Sequence, residues 1–97
     1  MKIFKKNSKK KKNDLLIYED RIKNENLIWV KQIIKILKFY FPKGKKKIND
    51  LGCNLFQLYK GLKKEKLNKK FSYFGFDHDK IYIKYGLKYF PELKKKY

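Results

Sequence analysis

Ile48-Asn49-Asp50-Leu51-Gly52-Cys53-Asn54 is a short apolar run that opens into a turn of small residues. Phe74-Gly75-Phe76-Asp77-His78-Asp79 is a second apolar run that ends in a carboxylate. Between them Leu55, Leu58, Tyr59 and Leu62 recur at helical spacing. Strand, tight turn, helix and strand in that order make half of a nucleotide-binding βαβ layout. A turn at the C-terminal end of a strand lets backbone approach a ligand. A carboxylate at the tip of the next strand accepts the two hydroxyl protons of a ribose. Asp77 follows Gly52 by 25 residues, close to the separation of roughly 20 that this geometry needs.

Outward from this centre, Lys47–Leu51 is predicted as the first strand and Phe71–Phe76 as the second. The second run is continuous and aromatic, the pattern of a strand buried on both faces. Two strands joined through a helix imply a parallel pair with a right-handed crossover. Upstream, a helical pattern begins at Asp14. Its stronger part, within 24–41, places Leu27, Val30, Ile34, Leu37 and Phe41 on one side, with Lys31, Lys35 and Lys38 opposite. Pro42 stops it. Gly61 inside the middle helix costs it ~1 kcal/mol. Downstream, Asp79 is placed to cap a last helix carrying Ile83, Leu87 and Phe90, and Pro91 ends or bends that helix. Residues 1–13 form a basic flexible tail, because lysines there repel and little can be buried. The fold class is therefore α/β, with leading helices followed by β-α-β-α over 46–93 and one domain over 14–97.

Composition excludes several chemistries. The chain has 97 residues, enough for one small domain or part of a larger one. Cys53 and His78 stand alone, so neither an intrachain disulfide nor a Cys/His zinc cluster can form, and no metal site is expected. Ser8 and Ser72, the only serines, sit in no elbow-like turn. The basic start lacks the uninterrupted apolar core of a signal peptide. Leu27–Phe41 is shorter than the ~20 residues of a membrane span and contains lysines. A reducing, cytoplasmic setting is the expectation. The net charge of +19 invites a nucleic-acid reading. Against it, Arg21 is the only arginine, and arginine is the preferred side chain for bidentate phosphate and guanine contacts. The chain lacks Ala and Thr and is crowded with Lys, Ile, Asn, Phe and Tyr. These are residues of A/T-rich codons, and such a bias accounts for much of the lysine.

Lys46 to Leu93 resembles the N-terminal half of the class I S-adenosylmethionine-dependent methyltransferases, a Rossmann-like fold. The family's first motif, Asp-x-Gly-x-Gly-x-Gly after an apolar strand, is matched by Asp50-Leu51-Gly52-Cys53-Asn54-Leu55-Phe56. Asn54 and Phe56 stand where the second and third glycines would be. Asn tolerates positive φ, and Phe56 can face the core as the helix begins. The family's second motif, an acid ending the next strand, is matched by Asp77. The resemblance implies S-adenosyl-L-methionine as methyl donor. Asp50 would orient its ammonium, Gly52, Cys53 and Asn54 would present backbone to its carboxylate, Asp77 would hold the ribose, and His78 would lie beside the adenine. It also implies an acceptor pocket built by later strands. The sequence stops after Pro91-Glu92-Leu93 and four further residues, so the expectation is a truncated chain, or one completed by a partner carrying the missing strands, and inactive alone.

Plainer readings stand beside each assignment. Asp50 and Asp77 serve as loop or strand-end caps, Cys53 as a small buried filler, and His78 as an exposed loop residue. Arg21 reaches a ligand carboxylate or pairs with Glu19 or Glu25. Two other functions compete: a small lysine-rich nucleic-acid-binding protein, and a degenerate docking subunit without activity.

Overall fold

A computed structural model describes residues 13–23 and 27–96, with backbone alone at 95 and 96. The basic tail expected over 1–13 lies outside the described residues except for Asn13, which is already helical. The order of elements is α1 (13–23), α2 (Ile28–Tyr40), β1 (Lys47–Leu51), α3 (Gln57–Lys64), β2 (Ser72–Phe76) and α4 (Lys80–Tyr89), followed by a 3-10 segment, Pro91–Lys96. Over the described residues this is a small α/β domain with four helices and a two-stranded parallel sheet. The register pairs Lys47 with Ser72, Asn49 with Phe74 and Leu51 with Phe76.

Each element follows from its residues. Val30 and Ile34 are the buried turns of α2, and Pro42 follows its end. Gly61 sits within α3 because a Cβ there would run into Val30 Cγ1, so the glycine lets α2 approach. Asp79 caps α4, its side chain accepting from the Ile81 amide at 3.1 Å. The centre of the core is Leu55, Phe56, Leu62, Tyr73 and Leu93. Phe56 and Tyr73 meet edge to face at 6.3 Å, and Tyr59 meets Phe90 at 5.4 Å. Glu92 ties the 3-10 segment to α3, accepting from the Tyr59 hydroxyl at 3.1 Å and from Lys63 at 2.6 Å. Tyr89 donates to Glu19 at 3.0 Å and so holds α4 against α1.

One expectation is corrected. β2 is not buried on both faces: Tyr73 and Gly75 are buried, whereas Ser72 and Phe76 are exposed. Among the described residues the helices cover one face only. Lys47, Asn49, Leu51, Ser72 and Phe76 are exposed on the other, where Lys47 Nζ lies 4.8 Å from the centre of the Phe74 ring. The aromatic run is continuous in sequence, yet its residues still alternate between covered and open faces. No described helix is long and apolar enough to cross a membrane.

Candidate functional site

The loop leaving β1 has an alternating backbone. Gly52, Asn54 and Phe56 all have positive φ, at 74°, 50° and 66°. Left-handed conformations are uncommon outside glycine, and for a bulky residue they are outliers that surrounding structure must enforce. Here the enforcement is visible. The amides of Gly52 and Cys53 both donate to the Phe76 carbonyl, at 2.7 and 2.9 Å, and the Phe56 amide donates to the Cys53 carbonyl at 2.8 Å. The Phe56 ring is fully buried and fills the space left by Gly86 of α4, where a Cβ would lie 2.6 Å from it.

Asp77 completes the fastening. Its Oδ2 accepts from the Asn54 amide at 3.0 Å and its Oδ1 from the Asp79 amide at 2.9 Å. One carboxylate therefore binds the end of β2 to the loop after β1 and to the start of α4. Its side chain is only 5% exposed, while that of the neighbouring His78 is fully exposed, with Nδ1 3.7 Å from Asp77 Oδ1.

Above this fastening, at the C-terminal ends of both strands, lies an open cleft of about 430 Å3 lined by Leu51, Gly52, Phe76, Asp77, His78 and Ile83. Gly52 has open space where a Cβ would stand, so the demand for glycine there is conformational. Of the residues singled out in the sequence, the cleft brings together Gly52, Asp77 and His78. Asp50, Cys53 and Asn54 do not line it. Asp50 accepts from the Tyr73 hydroxyl at 2.6 Å, and its carboxyl is pushed up by burial, an effect that the Tyr73 bond opposes and the charge of Asp77 reinforces. Cys53 is buried, and burial, with the charges of Asp50 and Asp77 behind it, pushes its thiol up to about 12. A thiol held protonated in this way is no nucleophile. Asn54 spends its amide on Asp77.

The apolar walls Leu51, Phe76 and Ile83 were not singled out in the sequence. Leu51 and Phe76 are paired in register, and Leu51 is 79% exposed. The signal was available: an apolar residue ending each strand on the same face. Arg21 lies elsewhere, beside a cavity formed with α2 and α3, and its guanidinium carbon is 5.9 Å from the Tyr18 ring centre. Glu19 is engaged by Tyr89, and Glu25 lies outside the described residues. No group of His, Cys, Asp and Glu side chains fit to hold a metal ion occurs among the described residues. Compared with known proteins, the chain matches no family model, no curated protein and no solved structure.

Proposed function

We propose that this chain is the donor-binding part of a class I S-adenosylmethionine-dependent methyltransferase with a Rossmann-like fold. The observation that carries the reading is the left-handed backbone at Gly52, Asn54 and Phe56. By the resemblance these are the three alternate positions of the family's glycine motif, and Asn54 and Phe56 adopt positive φ without being glycine. The cleft supports the same reading. It lies at the C-terminal ends of a parallel pair, where open α/β sheets take their ligands. Leu51, Phe76 and Ile83 offer apolar walls for an adenine.

Asp77 holds the loop and faces the sugar. An ionised carboxylate has about four acceptor sites, and the amides of Asn54 and Asp79 use one on each oxygen. The remaining lone pairs suit the two ribose hydroxyls once the 5% exposed side chain is approached from the Gly52 side. His78 flanks the base. The bound donor supplies an activated methyl group on a sulfonium; the contribution of these residues is binding and orientation, the main component of such catalysis. The reading also requires more sheet. Parallel strands are ordinarily covered on both faces, and two strands alone are marginal. The edges of β1 and β2 and the open face at Leu51 and Phe76 would receive strands and helices from other polypeptide sequence, and acceptor recognition would come with them.

Calorimetric titration with S-adenosylmethionine tests this reading. The expected result is saturable binding that Gly52→Val abolishes, because valine strains the loop at positive φ and puts a branched side chain into the cleft. Absence of donor binding, or binding that Gly52→Val leaves intact, contradicts it.

A further inference from the structure

We propose that the outer face of α2 and the turn that follows it dock on an anionic lipid bilayer, lying in the headgroup region without crossing it. α2 is more apolar than its packing requires. Val30 and Ile34 face the core, yet among the described residues Ile28, Trp29, Ile36, Phe39 and Tyr40 are exposed, Phe39 at 79% and Tyr40 at 67%. Trp29, Ile36 and Tyr40, at steps of seven and four residues, form one line along the helix, and Ile28 and Phe39 lie beside it. Lys31, Lys35 and Lys38 border this face on the side away from the core. The helix runs for about 20 Å. An exposed apolar face of that extent with a charged rim marks an interaction surface.

The turn after α2 carries the same chemistry in a fixed frame. Phe41 is exposed, and Lys43, Lys45 and Lys46 follow it. The Lys45 amide donates to the Lys70 carbonyl at 2.7 Å, and Gly44 packs so closely that a Cβ there would stand 2.6 Å from that carbonyl oxygen. The turn is thereby fastened beside Lys70, and Lys46 Nζ lies 5.8 Å from the centre of the Phe41 ring. Charge is sorted along the sheet. This basic turn leads into the N-terminal end of β1, whereas Asp50, Asp77 and Asp79 stand toward the C-terminal ends of the strands, by the cleft. From Ile28 to Asn49 the sequence has seven lysines and neither Asp nor Glu. Glu65, at the end of α3, reaches α2 and is held by Lys38 at 3.1 Å.

A basic rim around an aliphatic and aromatic face matches a lipid surface. The apolar side chains enter the acyl boundary, Trp and Tyr rest at headgroup level, and lysine stems lie along the surface with their ammonium groups at the phosphates. Lysine serves there as a point charge, with no demand for the paired donors of arginine. Ile28 and Ile36 give a nucleic-acid base no ring to stack on. A second copy of the chain would set a net charge of +19 against its equal. Docked in this way, the chain keeps the cleft at Gly52 and Asp77 open, because the cleft lies at the other end of the strands.

Trp29 is the only tryptophan and sits on the proposed face, so its fluorescence reports the test directly. The protein is titrated with vesicles of phosphatidylcholine containing about one third phosphatidylserine. A saturable blue shift is expected, with quenching when the acyl chains carry bromine. Pure phosphatidylcholine vesicles are expected to bind roughly tenfold more weakly or less. Phe39→Ser should weaken binding roughly fivefold or more, and Lys43→Gln combined with Lys46→Gln roughly tenfold or more. Lys80→Gln, at the cleft end, should leave it unchanged. Equal binding to neutral vesicles overturns the proposal, as does binding without quenching by brominated chains. A Trp29 shift produced by an oligonucleotide or by raising the protein's own concentration, and not by the vesicles, assigns the face to another partner and also overturns it. Should a variant not fold, the wild-type response to the brominated and the neutral vesicles decides.

Discussion

At the scale of single residues, the loop after β1 works through side chains turned inward. Asp77 satisfies two amides that would otherwise stand orphaned beside the cleft. Asp77→Ala is therefore expected to lower the urea midpoint of the chain, in addition to weakening binding at the proposed donor site. Cys53 makes a second case. Burial pushes its thiol up to about 12, against 9.0 for an ordinary cysteine. Because the folded value is the higher one, its contribution to stability is complete below pH 9 and is lost as pH rises toward 12. Iodoacetamide at pH 8 should modify Cys53 slowly in the native chain and rapidly in urea; equal rates would show the thiol to be accessible. The positive φ at Asn54 was legible in the sequence, because asparagine tolerates that conformation. The positive φ at Phe56 was not, since nothing local favours it. It is held by the burial of its ring against Gly86 and Tyr73, and tertiary packing of that kind leaves no short-range signal. The link between Asp50 and the Tyr73 hydroxyl was equally hidden, because it depends on strand register.

At the scale of elements, glycines set how closely helices pack. A Cβ at Gly86 would stand 2.6 Å from the buried Phe56 ring and 3.2 Å from the Leu55 Cα. Gly86→Ala is expected to lower the melting temperature through overpacking, which outweighs the ~1 kcal/mol that alanine gains in a helix. A thermal melt showing Gly86→Ala at or above wild type would contradict this packing. The helices were legible from their period, α2 through Val30 and Ile34 and α4 through its Asp79 cap. The lengths of β1 and β2 were legible from short apolar runs bounded by turns. How β2 is covered was not, because a run of aromatic residues looks the same whether one face or both are buried. Of the candidate site, Gly52, Asp77 and His78 meet at the cleft; for Asp50 and Cys53 the sequence pattern was silent on which side of the strand end each would turn.

At the scale of the whole molecule, an open parallel pair and a net charge of +19 act together. Charge repulsion favours solubility and opposes compactness. Added salt screens it within about 10 Å at 0.1 M, so the melting temperature is expected to rise between low and moderate ionic strength. With the two strand ends Leu51 and Phe76 exposed, the chain by itself is expected to unfold over a broad range, with a calorimetric enthalpy unequal to the van't Hoff value. A sharp two-state transition insensitive to salt would oppose this picture. The proposed donor site is confined to the strand ends at Gly52 and Asp77. Its most direct measurement is an amide-shift titration with S-adenosylmethionine. Saturable shifts are expected at Gly52, Asp77 and His78, lost in Asp77→Ala at a temperature where that variant is folded. No shift at these residues, or shifts that survive in folded Asp77→Ala, would contradict the account.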